Sequence, residues 1–143
     1  MISNKPKKVV DWEKIYYNYN YGNDDIPFLI EIFGDLQNEI EIEIKELKKE
    51  INFENYKKIQ NISHKIKGTL SNFYCEETSD IMCEINDLSK EGISYQSIQK
   101  YEGVKYSNEK IAISIKIQYL FFDFCEKFEY VKKEIEFLST SKK

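Results

Sequence analysis

The stretch Ile40-Glu41-Ile42-Glu43-Ile44 decides the fold. Taken alone it alternates apolar and charged residues with period two, the pattern of a half-buried strand. Taken with its flanks it belongs to a longer series: Leu29, Phe33, Leu36, Ile40, Ile44, Leu47 and Ile51 follow one another in steps of three and four. That spacing lines one face of an α-helix. Because the helical series continues on both sides of the alternation, the segment reads as helix, starting at Pro27 in its first turn and running to about Glu50.

Working outward, the same spacing recurs. Asn52 is a candidate cap for a third helix, from Phe53 to about Phe73, with the stripe Ile59, Ile62, Ile66, Leu70 and Phe73. A fourth, about Glu76 to Lys90, carries Ile81, Ile85 and Leu88. Glu91-Gly92 reads as its end, and the polar stretch to Tyr106, which contains Gly103, reads as a loop with at most one helical turn. Ser107 or Asn108 can cap the last helix, whose stripe is Ile113, Ile117, Phe121, Phe124, Phe128, Val131, Ile135 and Leu138. Toward the N-terminus, Asp11 can cap a short helix carrying Trp12, Ile15, Tyr16 and Tyr19, and Tyr21-Gly22-Asn23-Asp24-Asp25 reads as a turn. Residues 1–8 read as a basic, frayed tail. No internal repeat or second domain is visible. The expectation is an all-α chain: an antiparallel up-down four-helix bundle with a short extra N-terminal helix, occupying residues 9–140.

Composition bounds the function. A chain of 143 residues with 41% hydrophobic and 15% aromatic content can bury a core without disulfides or metal. Net charge is −4, and all 21 basic residues are lysine. Lacking arginine, the chain lacks the bidentate fork favoured for base readout and phosphate clamps, which argues against nucleic-acid binding. Cys75, Cys83 and Cys125 are widely spaced and, with one histidine in the chain, assemble no zinc motif, so no metal site is expected. They read as reduced thiols filling small apolar positions. The cluster Tyr16, Tyr17, Tyr19 and Tyr21 reads as packing or plain surface. Met1-Ile2-Ser3-Asn4-Lys5-Pro6-Lys7-Lys8 lacks the apolar core of a signal peptide, and no run has the length to span a bilayer. A cytoplasmic protein, with the nucleus as the alternative compartment and no membrane partner, is expected.

The one histidine stands in His64-Lys65-Ile66-Lys67-Gly68. Histidine is the side chain that offers a neutral nucleophilic nitrogen near neutral pH. On a helical wheel the third helix's apolar stripe spans about 80° of arc, and His64 lies roughly 160° from its centre. It should face outward, with Lys57, Gln60, Lys67, Gly68 and Ser71 around it. Glycine inside a helix costs about 1 kcal/mol against alanine, so Gly68 needs a reason, and close approach of a partner is one. A histidine followed by x-[Ile/Leu]-Lys-Gly arises by chance roughly once in a thousand for this composition. A surface histidine with no role is the ordinary alternative.

This run, with Ser71 further along the same face, resembles the histidine-containing phosphotransfer (HPt) proteins of multistep phosphorelays. The short helix with Trp12, the long second helix beginning near Ile26 and a helix ending at Glu91-Gly92 look like the single-domain eukaryotic members. Two positions depart: the family has a small residue where Leu70 stands and a glycine where Tyr74 stands. The resemblance implies that His64 takes a phosphoryl group from a receiver-domain aspartyl phosphate and passes it to another receiver aspartate. His64 would be the nucleophile, Lys67 a point charge beside the phosphoryl oxygens, and Gly68 the clearance for the receiver's loops. Lys57, Gln60, Asn61, Lys65 and Ser71 would contact the partner, together with Ile26 and Ile30, which lie off the main stripe of the second helix. The implied partners are response-regulator receiver domains and a hybrid histidine kinase. Magnesium is needed on the receiver only, no cofactor is held by this chain, and a monomer is expected. The alternative is an HPt-like module that binds receivers without being phosphorylated. A histidine-kinase fragment is disfavoured, because the chain has neither the length nor a glycine-rich phosphate loop for a nucleotide domain.

Overall fold

The computed structural model of the chain describes residues 10–19, 26–73, 75–102 and 107–141. The described residues are almost all helical, with no strand among them. The elements are α1 (Trp12–Tyr19), α2 (Ile26–Asn52), α3 (Tyr56–Leu70) with a 3-10 turn Ser71–Phe73, α4 (Glu76–Glu102) and α5 (Ser107–Ser141). The expected tail 1–8, the turn 21–25, Tyr74, Gly103 and the side chains of the tyrosine cluster lie outside what is described.

The alternating stretch is helical. A strand would put Ile40, Ile42 and Ile44 on one face. Instead Ile40 is fully buried while Ile42 is 68% exposed. Leu29, Phe33, Leu47 and Ile51 share the burial of Ile40. They meet Ile59, Ile66 and Leu70 of α3, Met82 and Ile85 of α4, and Phe124, Phe128 and Val131 of α5 in one core. α2 packs on α3 and α5, α3 on α4, and α4 on α5. Two ion pairs show α3 running against α2: Lys65 meets Glu43, and Lys58 meets Glu50 further back. Along α4 the order is again reversed, since Asn86 bonds the Gln60 carbonyl and Gln96 the Glu54 carbonyl. α1 is capped by Asp11, whose Oδ1 accepts from the Lys14 amide at 3.1 Å. Trp12 then joins α2 to α5: its ring tilts against Phe33 and its indole N–H donates to Glu134 at 3.1 Å.

Two boundaries differ from the sequence expectation. α2 does not stop for an Asn52 cap. It ends in a Schellman motif, with Asn55 N–H donating to Glu50 O and Glu54 N–H to Ile51 O. Glu54 takes the left-handed conformation this motif needs, at φ 52°. Glycine is the usual residue there, so the sequence carries no stop signal. Asn55 is therefore the cap of α3, accepting from the Lys58 amide.

The second difference is larger. α4 passes straight through Glu91-Gly92 and ends at Glu102, so most of the segment read as a loop is helix. Gly92 is buried, and a Cβ there would lie 2.6 Å from Cγ of the Tyr56 ring. The glycine is a seat for the ring rather than a terminator, and the helix-ending feature of the resemblance falls with it. Ser89 is also buried, its hydroxyl donating to Asn86 O at 2.6 Å. Small residues at buried positions interrupt the apolar stripe, which is why its periodicity looks broken.

Among the described residues two carboxylates sit inside, Glu43 and Glu50, each 4% exposed, and it is Glu43 whose titration burial shifts. Glu43 has Lys65 Nζ at 3.3 Å. Burial pushes its carboxyl up from the ordinary 4.5, against the opposing pull of Lys65. A carboxyl raised on folding costs stability when ionised. That cost is absent below the unfolded value near 4.5 and complete once pH passes the folded value. Glu43→Met should therefore stabilise the chain at neutral pH, since Lys65 remains 67% exposed and solvated without its partner. The gain should shrink as pH falls toward 4.5. Urea unfolding of both proteins across that range checks the sign.

Candidate functional site

α3 presents its polar face because its other face is fixed at several levels. Tyr56, Ile59, Ile66 and Leu70 are buried at 1% exposure or less. Leu70, one of the two departures from the HPt pattern, is a core residue. Ser63 is buried as well: its hydroxyl donates to Gln60 O at 3.1 Å and receives Asn86 Nδ2 at 3.3 Å. Asn86 also donates to Gln60 O at 2.8 Å, so a single α4 side chain pins the middle of α3. The rotation of α3 about its axis is set by these contacts, and His64 follows from it.

His64 is exposed and has no hydrogen-bond or ion-pair partner among the described residues. Lys57, Asn61, Lys65, Lys67, Gly68 and Ser71 are exposed too, and Gln60 is half-buried. The two lysines flanking the imidazole diverge. Lys65 reaches across to Glu43 on α2. Lys67 leans toward α4, its Nζ 3.4 Å from Cys83 Sγ. A thiol is a weak acceptor, so this rest position holds Lys67 loosely on a flexible stem. Ser71 does not present a free hydroxyl: it donates to Gly68 O at 2.6 Å and closes the end of the helix.

Gly68 is the informative absence of a side chain. A Cβ built there meets nothing within 4 Å. No neighbouring helix needs the room, in contrast to Gly92. The space one turn beyond His64 is open to an approaching molecule.

The remaining candidates are not gathered here. Ile30 is half-buried in a groove between α2 and α5, lined by Gly34, Gln37, Lys132 and Lys133 and by no residue of α3. The side chain of Ile26 lies outside the described residues. Three residues that matter locally were not singled out from sequence. Glu43 stands within the core-facing arc of α2, so a wheel that flagged buried charges would find it. Cys83 and Asn86 act on α3 from another helix, and only the pairing of α3 with α4 reveals them.

What the face can do is limited and clear. It holds one unpartnered imidazole and lysines close by on flexible stems. Among the described residues no group of three metal-ligating side chains occurs, and no helix is long and apolar enough to cross a membrane. Cys75 is buried, and desolvation pushes its thiol up to about 12; Cys83 and Cys125 are half-buried. No protein family, characterised protein or solved structure matches the chain.

Proposed function

We propose that this chain is a histidine phosphotransfer protein, its helices α2 to α5 forming an antiparallel up-down four-helix bundle that holds His64 out toward a receiver domain. The observation that carries the reading is the exposed, unpartnered imidazole of His64 with open space over Gly68. In the proposed step the Nε2 lone pair attacks the phosphorus of a receiver aspartyl phosphate in line. The N–P bond forms, the P–O bond to the aspartate breaks, and the carboxylate leaves with the electron pair. The reverse step delivers the group to a second receiver. Magnesium and most of the transition-state stabilisation belong to the receiver, which is why a sparse face suffices here.

The test is incubation of the full chain with a phosphorylated receiver domain. The expected result is a label on this chain that is acid-labile and base-stable, with none taken up from ATP and magnesium alone. Receiver binding without label would instead favour an interaction module.

Lys67 has its own expected effect. To meet phosphoryl oxygens on His64 it must leave Cys83, a small cost for a weak contact. Lys67→Ala should slow transfer and shorten the lifetime of the phosphohistidine. Stability should stay within about ±0.5 kcal/mol, as for other exposed positions. Rates and decay equal to the parent would remove Lys67 from the mechanism.

A further inference from the structure

We propose that the groove between α4 and α5 docks an amphipathic helix of another protein, one that carries lysine or arginine beside its apolar face. The first observation is a second apolar face on α5. This helix already buries Ile113, Ile117, Phe124, Phe128, Val131 and Ile135. On the opposite side Ile111, Ile115, Tyr119 and Phe122 are 56%, 60%, 70% and 63% exposed. They follow in steps of four, four and three, and Lys116 is the one charged residue between Ile111 and Phe122. A helix that is apolar nearly all round is ordinarily covered on both sides. Further along, the same face still exposes Tyr130 and Phe137, at 58% and 69%, but interleaves them with Glu126, Glu129 and Lys133, so the uninterrupted apolar part is the stretch from Ile111 to Phe122.

The second observation is that this face continues into a groove. Leu88 and Leu120 form its floor, Ile115 and Tyr119 one wall, and it encloses about 640 Å³. That is room for several side chains of a helix laid along it.

The third observation chooses the occupant. The α4 rim carries Glu84, Asp87 and Glu91, spaced three and four apart and all exposed. None of them has an ion-pair partner among the described residues. Unpaired carboxylates also occur elsewhere, Glu39 and Glu46 among them, so what marks the groove is that three of them flank an apolar floor. Among the described residues lining the groove the only cation is Lys116. Apolar anchors flanked by cations complement an apolar floor flanked by three carboxylates. A second copy of the chain fits less well, because it would bring three more carboxylates and one lysine to the same seam. No residue of α3 lines the groove, so this docking is independent of the His64 reading.

A synthetic leucine–lysine amphipathic helix peptide is the probe, titrated into the full chain at physiological salt. Its controls are the glutamate counterpart with the same leucine pattern and a scrambled lysine peptide. The expected result is saturable one-to-one binding, with amide shifts confined to the groove residues of α4 and α5. Both controls should bind at least about tenfold more weakly. Ile115→Asp with Tyr119→Asp, and separately Glu84→Lys with Asp87→Lys and Glu91→Lys, should each weaken the lysine peptide by a similar factor. All five positions are exposed, and an unchanged thermal midpoint confirms that the variants fold. Should either variant unfold, the shift map on the parent decides alone. Equal binding of the scrambled peptide, shifts elsewhere, or indifference to both variants overturns the proposal. So does a dimer of the parent in sedimentation that Ile115→Asp abolishes, which would assign the face to a second copy.

Discussion

Gly92→Ala is expected to destabilise the chain by about 2 kcal/mol, although alanine is the better helix former by about 1 kcal/mol. A Cβ at this position lies 2.6, 2.7 and 2.8 Å from Cγ, Cδ1 and Cδ2 of Tyr56. These are the root of the ring, not the tip of a flexible chain, and the residue is 1% exposed. Tyr56 is also the first residue of α3, directly after the Asn55 cap, so its backbone has little freedom to retreat. The added methyl must either push α4 from α3 or force the ring off its rotamer, and overpacking of this kind typically costs about 1–3 kcal/mol. A midpoint lower by roughly 4–8 °C in thermal unfolding would register it. Tyr56→Leu shrinks the obstacle. In that background the penalty for Gly92→Ala should fall, giving a coupling energy in a double-mutant cycle. A cost equal to that of alanine at an open helical site would mean that the ring and the glycine are not in register as described.

The contrast with the sequence expectation at this same residue shows what a single chain reveals. A wheel needs only the geometry of one helix, and it put Ile40 on the apolar stripe of α2, left Ile42 off it, and turned His64 to the exposed face of α3 without knowing any neighbour. Gly92 needs the neighbour. Written in a sequence, a glycine that ends a helix and a glycine that seats a ring are the same letter, and Tyr56 belongs to a different helix. The α2–α3 boundary failed for a related reason. Glu54 adopts a conformation that glycine usually signals, so Asn52 looked like the cap that Asn55 provides. The site divides in the same way. Exposure of His64, Lys67 and Gly68 was legible from α3 alone. The lean of Lys67 toward Cys83, the pairing of Lys65 with Glu43 and the use of the Ser71 hydroxyl in closing the helix depend on neighbouring elements or on local cap geometry.

His64→Gln should fold like the parent and accept no phosphoryl group at all. Glutamine keeps a polar side chain of good helix propensity at an exposed position and removes the only imidazole in the chain. Label reaching this variant from a phosphorylated receiver would place the acceptor elsewhere and end the phosphotransfer reading. Gly68→Gln separates access from packing. Because a Cβ at Gly68 meets nothing within 4 Å, the larger side chain enters solvent, and stability should hold or rise by up to about 1 kcal/mol. Transfer should nevertheless fall at least about tenfold, since each 1.4 kcal/mol added to the barrier by obstructed approach is a factor of ten. The two measurements, thermal midpoint and transfer rate, therefore move in opposite directions at Gly68, whereas at Gly92 stability alone decides. If Gly68→Gln transfers at the parent rate, the receiver does not approach across this turn of α3. If it unfolds, the space around Gly68 is not open, and the glycine serves the packing of the helices after all.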